Sequence, residues 1–228
     1  MKEFKVISID MFRTLVDLET VEYDIWRVIL ADRYTDALAE EFSAHAGNSL
    51  FDYLPVDGFI PLKSLFHKLF TALFANFNIE YNPDYAAKVW VQQHSMSKPF
   101  REIPVFLNSA GKKYLICLAT DADDDMLVKL KDIYPFDSIF TSEKLGVYKA
   151  DADGRFFKAI ISHYGVIPDE IIHIGDGRRE ILSAHEAGMV TCWLNRKGLE
   201  WQHDIKPDYE VGSLIEAASV LDIDISYG

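Results

Sequence analysis

The chain has 228 residues, 49% of them hydrophobic and 26% charged, a globular balance that excludes a disordered polypeptide. Its formal net charge of −13 repels a phosphate backbone, so a nucleic acid polymer is not an expected partner. A small anionic substrate stays compatible, because a metal, a lysine or helix amino termini can make one pocket locally positive.

Met1-Lys2-Glu3 leads into a short apolar run rather than a secretory signal, and no stretch approaches the ~18 apolar residues of a membrane span. Cys117 and Cys192 each sit in a short apolar run, with neither metal-ligand spacing nor a disulfide framework. A cytoplasmic protein without membrane partners is expected.

The first predicted element is a strand over Phe4–Ile9, ending at Asp10. Strand-like runs then disappear from residues 16–99. Val21, Ile25, Val28 and Ile29 predict one helix and Leu38–Ala46 a second, and Pro55, Gly58 and Pro61 break the middle of the stretch. Leu62, Leu65, Phe66, Leu69, Phe70, Leu73, Phe74 and Phe77 recur at helical spacing, and Tyr85–His94 predicts a fourth helix. A continuous apolar stripe of this kind reads as packing within a helical bundle. The chain returns to the core near Pro99–Pro104.

Beyond that point short apolar runs alternate with helical periods. Tyr114–Ala119 precedes Thr120-Asp121, Ile171–Ile174 precedes Gly175-Asp176, and Val190–Leu194 precedes Asn195. Helices are expected over Asp123–Asp132, Asp153–Tyr164 and Arg178–Ala187, the last stopped by Gly188. Apolar runs that lack period-two alternation fit parallel strands covered on both faces. The alternation predicts an α/β fold, a doubly wound parallel sheet built from residues 1–15 and 100–228, with a four-helix insertion at 16–99.

Ligands of such sheets bind at the carboxyl ends of the strands. Asp10, Thr120, Lys149 and Asp176 fall at or just after strand ends. Singly, each has a bland reading as a cap, a turn residue or a solvated charge. Together, in this order, they form a pattern. Ile9-Asp10-Met11-Phe12-Arg13-Thr14-Leu15, Leu118-Ala119-Thr120-Asp121, Gly146-Val147-Tyr148-Lys149-Ala150-Asp151 and Ile174-Gly175-Asp176-Gly177-Arg178-Arg179-Glu180 resemble, in order, the four motifs of the haloacid dehalogenase-like (HAD) hydrolase superfamily. Trp193-Leu194-Asn195-Arg196 and Pro207-Asp208-Tyr209 add to the likeness. The helical stretch falls where the family's largest branch carries its cap.

The resemblance implies a Rossmann-like core and a hydrolase in which Asp10 attacks phosphorus or carbon to form a covalent intermediate. It implies Thr14, Thr120 and Lys149 beside Asp10 in the catalytic set, with Thr120, Asp121 and Lys149 on the substrate's oxygens. Magnesium, which prefers oxygen ligands, would take the Asp10 and Asp176 carboxylates and the Phe12 carbonyl, with Glu180 one turn on as a further ligand.

One position departs from the family's phosphatases, which carry a second aspartate two residues after the nucleophile as acid and base. Here it is Phe12. The first reading is a magnesium-dependent phosphate-ester hydrolase of a small metabolite, weakened by the missing acid. The alternatives are a metal-free 2-haloacid dehalogenase, whose halide leaves without a proton, and a HAD-fold binding protein with vestigial catalysis. Asp123, Asp124 and Asp125 read as a cap and first-turn carboxylates of the helix they open. His173 reads as a packed core histidine rather than a catalyst, His94 in the cap stays open between the two, and Arg27, Arg33 and Tyr34 are cap residues that could face the site.

Overall fold

The computed structural model describes residues 3–53, 58–127 and 134–225. A six-stranded sheet, all parallel, forms its centre. Strands β1 (Val6–Ile9), β4 (Leu115–Thr120), β5 (Ser138–Thr141), β6 (Ile171–Gly175), β7 (Val190–Leu194) and β8 (Tyr209–Val211) lie in the order β5-β4-β1-β6-β7-β8. Ile9 is in register with Leu118 on one side and Ile174 on the other. The chain winds outward from β1 in both directions, so β1 marks the switch point of the sheet.

Both faces of these strands are apolar for a visible reason. Ile7, Ile9, Ile116, Leu118, Ile172 and Ile174 pack with α5 (Ile103–Ala110) and α9 (Leu214–Val220). The intervening Val6, Cys117, Ala119 and Ile171 pack instead with Phe156, Phe157 and Ile160 of α7 (Arg155–Tyr164) and Ala184 of α8 (Arg178–Glu186). The period of two is present, but each face meets a helix layer, and polarity cannot reveal it. Gly188, at φ +88°, ends the α8 segment as expected.

Helices α1 (Glu19–Leu30), α2 (Asp36–Ser49), α3 (Leu62–Asn76) and α4 (Pro83–Ser95) form the helical region. Thr35 and Asn82 cap α2 and α4 by accepting from the amides of Leu38 and Tyr85. The α3 stripe from Leu62 to Phe74 is buried, and Phe77 follows the helix, half-buried. Trp26 of α1 sits at the centre, edge-on to Phe42, Phe70 and Trp90 at 5.3–5.9 Å, and its indole N–H donates to Ser43 Oγ at 2.7 Å.

The bundle joins the sheet through a short antiparallel ribbon. Val16 of β2 (Val16–Asp17) pairs with Pro99 of β3 (Lys98–Pro99), so the chain leaves and returns at one place. A second tie comes from Asp123, whose carboxylate accepts from the Leu62 and Lys63 amides at 2.8 Å each. This corrects the expectation for Asp123: it caps a helix, but α3, some sixty positions earlier in the chain. The helix expected over 123–132 is a 3-10 turn at Asp124–Leu127; residues 128–133, and Pro55, lie outside the described residues. Strands β5 and β8 carried no clear sequence signal, being short and only partly buried. Among the described residues no helix is long and apolar enough to cross a membrane.

Candidate active site

The carboxyl ends of β1, β4 and β6 meet beneath the helical region, and the reactive side chains gather there. Asp10 follows β1 directly, its amide donating to the Ile174 carbonyl at 2.9 Å. Lys149 arrives from the loop after α6 (Ser142–Leu145) and donates to Asp10 Oδ1 at 2.5 Å and to Glu180 Oε2. Glu180 occupies the third position of α8, where its other oxygen accepts from the Gly177 amide at 2.8 Å. Any β-carbon at residue 175 would overlap the Glu180 carboxylate, which accounts for glycine at the end of β6.

Asp10, Asp176 and Glu180 each offer a carboxylate oxygen, and these oxygens lie within 4.8 Å of one another. Asp121 stands alongside, accepting from the Lys149 amide at 2.9 Å. One ammonium therefore faces four carboxylates. Burial, then the neighbouring carboxylates, push Asp10 and Asp176 up. Burial would raise Glu180 too, but the Lys149 ammonium and His173 together outweigh it and hold that group well below the usual range. Burial opposes charge on Lys149, yet Asp10 and Glu180 reverse this and keep it protonated. Asp121 is pushed up to about 7, mainly by burial. A cluster of hard oxygen donors short of positive charge is what a divalent cation would satisfy.

These groups line a cavity of about 630 Å³ between sheet and helices. Its far wall is Leu18, Ala46, Leu50, Leu62, Phe66 and Trp90, and its mouth carries Arg13, Arg178, Arg179 and His203. Arg178 is steadied by the Glu200 carbonyl at 2.6 Å and lies 5.5 Å over the Trp193 ring. The basic mouth contrasts with the net charge of −13 and suits an anion. Thr14 and Thr120 are not among the lining residues; both are fully buried, and their hydroxyls meet no hydrogen-bond partner among the described residues. Phe12 lines the cavity, its ring edge-on to His94 at 5.1 Å.

Arg27, Arg33 and Tyr34 do not reach the cavity. Arg27 pairs with Asp24 at 2.8 Å and lies over the Tyr34 ring, while Arg33 donates to the Asn78 carbonyl at 2.9 Å. His173 is packed in the core as expected, against Phe157, but it also joins the site from below. Its Nδ1 lies 3.0 Å from Ser8 Oγ and its Nε2 3.5 Å from Glu180 Oε2. A histidine inside a strand carries no sequence mark of such a contact. Leu50, Met126, Gln202 and His203 likewise line the cavity without belonging to any motif.

The structure places His94 against the cavity. Its Nδ1 donates to the Trp90 carbonyl at 2.8 Å, which leaves Nε2 of the neutral ring as an acceptor. Burial pushes it down to about 4. The unfolded chain therefore takes up a proton between pH 6.5 and about 4 that the folded chain refuses, and stability falls as the pH falls through that window. The loss approaches ~3 kcal/mol at the acid end. Urea unfolding at pH 7 and pH 4.5 should show His94→Gln losing less stability than wild type; equal losses would refute the assignment.

The fold is a Rossmann-like core, and its site is a cluster of carboxylates gathered at the strand ends. A family model for haloacid dehalogenase-like hydrolases matches residues 4–188, and the chain belongs to that family. It is 28% identical over 123 residues to a phosphoserine phosphatase of Thermus thermophilus, a match covering 51% of this chain and 49% of that protein. It is 34% identical over 89 residues to the pyrimidine 5'-nucleotidase YjjG of Escherichia coli, covering 38% of each. The matches thus span half or less of these relatives' lengths. Among solved structures, the HAD-hydrolase YfnB of Bacillus subtilis, bound to magnesium, has a TM-score of 0.83 at 19% identity, covering 97% of this chain and 100% of that one. The L-2-haloacid dehalogenase of Xanthobacter autotrophicus, with chloropropionic acid covalently bound, has a TM-score of 0.80 at 13% identity over 96% and 98%. Both likenesses concern the fold.

Proposed function

We propose that the chain is a magnesium-dependent phosphate-ester hydrolase acting on a small anionic metabolite. The observation that carries this reading is the meeting of Asp10, Asp176 and Glu180 oxygens within 4.8 Å. Asp10 and Asp176, with the Phe12 carbonyl, would hold the cation, and Glu180 would support it while anchoring Lys149. Bound there, magnesium would supply charge against the phosphoryl oxygens. Asp10 attacks phosphorus, and Lys149 keeps the attacking carboxylate ionised and offsets charge on the transferring group. Asp121, which lines the cavity, completes the binding of the substrate end, while Thr120, enclosed and outside the lining, positions it from the end of β4. Residues 16–99 act as the cap that covers the site and selects the substrate.

Phe12 favours the second reading, a 2-haloacid dehalogenase. Two features weigh against it. A metal-free displacement at carbon has no use for the Asp176–Glu180 pair, and a cavity of about 630 Å³ far exceeds a substrate of a few heavy atoms.

Magnesium titration by calorimetry tests the first reading. Asp176→Ala should weaken binding by more than the ~10- to 100-fold that loss of an outer hydrogen-bonding partner costs. Affinity unchanged in the variant would remove the metal site. Phosphate esters with and without magnesium, run beside 2-haloacids with halide detection, separate the two chemistries.

A further inference from the structure

Resting on the phosphoester reading, the cavity also restricts the leaving group. In-line transfer places the leaving oxygen opposite Asp10, away from the sheet and toward the helices. That wall holds Leu18, Ala46, Leu50, Leu62, Phe66 and Trp90. The Trp90 indole N–H meets no partner among the described residues but is far too weak an acid to protonate a leaving oxygen, and the others carry no side-chain proton to give. Phe12 fills the position beside the nucleophile. Ser43 also faces the cavity, but its oxygen already accepts from Trp26 and a hydroxyl is too weak an acid to help. His94 is packed edge-on to Phe12 and against Phe66 and Trp90, and its Nδ1–H is already committed to the Trp90 carbonyl. Asp121 stands on the opposite side, beside Lys149, with one oxygen held by the Lys149 amide. The arginines at the mouth do not release protons.

We propose that this cavity is built for phosphate monoesters of acidic hydroxyls, phenols or enols carried on a flat apolar body, which depart as stabilised anions. An Asp10 oxygen forms the new bond to phosphorus while the ester P–O bond breaks, its electron pair staying on the departing oxygen. That oxyanion takes its proton from bulk water after release. A water then attacks the aspartyl phosphate, the P–O bond to Asp10 breaks, and the carboxylate is restored. The water's oxygen and protons leave as inorganic phosphate and solvent proton, so ester plus water becomes alcohol plus phosphate.

The apolar wall adds a preference for the body. Phenol and 2-naphthol have similar acidities, so their phosphates differ mainly in the area they offer to Leu50, Phe66 and Trp90. The second ring should raise kcat/KM by about tenfold.

The test measures kcat/KM with saturating magnesium for 4-nitrophenyl, phenyl and 2-naphthyl phosphate and for the alkyl esters 2-glycerophosphate and O-phosphoserine. The aryl esters should exceed the alkyl esters by at least ~10²-fold, the lower end of what a general acid supplies. Leu50→Asn, a change at a half-buried wall position, should shrink the naphthyl-over-phenyl preference. Alkyl esters turned over as fast as aryl esters would overturn the proposal alone, exposing a proton donor such as Asp121 or His203. A naphthyl preference that is absent, or untouched in Leu50→Asn, would overturn the apolar-body half. No turnover of 4-nitrophenyl phosphate, with or without magnesium, would remove both this proposal and the phosphoester reading.

Discussion

Asp10→Asn is expected to abolish turnover, with a loss on the order of 10⁴ or more, the scale seen when a covalent nucleophile is removed. The amide is a poor nucleophile and cannot carry the charge that Lys149 meets at 2.5 Å. Loss of folding would not explain the result. Asp10 is one of four carboxylates crowded around a single ammonium, and burial and repulsion already push it up. Removing its charge relieves that crowding, while Lys149 keeps its contact to Glu180. The midpoint of thermal unfolding should therefore stay near wild type or rise while activity vanishes. Retained turnover in this variant would end the nucleophile assignment and most of the functional reading.

Phe12→Asp is expected to act in the opposite direction. The ring touches His94 edge-on at 5.1 Å and lines the cavity, so a carboxyl placed there faces the departing oxygen. Its apolar surroundings would favour the protonated form, the form a general acid needs. The ratio of alkyl to aryl phosphate turnover should rise by ~10-fold or more. That stays below the full ~10²–10⁴ of an evolved acid, because a pocket shaped for phenylalanine does not hold a carboxyl in place. An unchanged ratio would show that leaving-group protonation is not what limits the enzyme. The two variants answer different questions, since one removes the attack and the other supplies departure.

The contrast between these positions also marks how far the sequence could be read. The parallel core, the helical region after the first strand and the positions of Asp10, Thr120 and Asp176 were legible, because they rest on local signals, whereas Lys149 stood out only through its motif. An apolar run closed by an acid, a stripe at helical spacing and a glycine after the last turn of a helix are all written in neighbouring residues. The family's motifs add the relation between distant strand ends, which spacing alone does not contain.

Contacts between segments far apart in the chain were not legible. Asp123 reads as the start of its own helix, yet its carboxylate holds the amides of Leu62 and Lys63, and only the docking of α3 on the sheet brings them together. His173 looks like any strand histidine until α8 lays Glu180 above it. Arg27 and Arg33 were open candidates for substrate contact, and the rotation of their helical segments turns them to Asp24 and Asn78 instead. Phe66 and Trp90 belong to the same apolar pattern as Phe70, but they also line the cavity, whereas Phe70 is enclosed. Periodicity tells which side of a helix is apolar. Whether that side meets another helix or a substrate depends on the relative placement of whole elements, set by packing across the molecule.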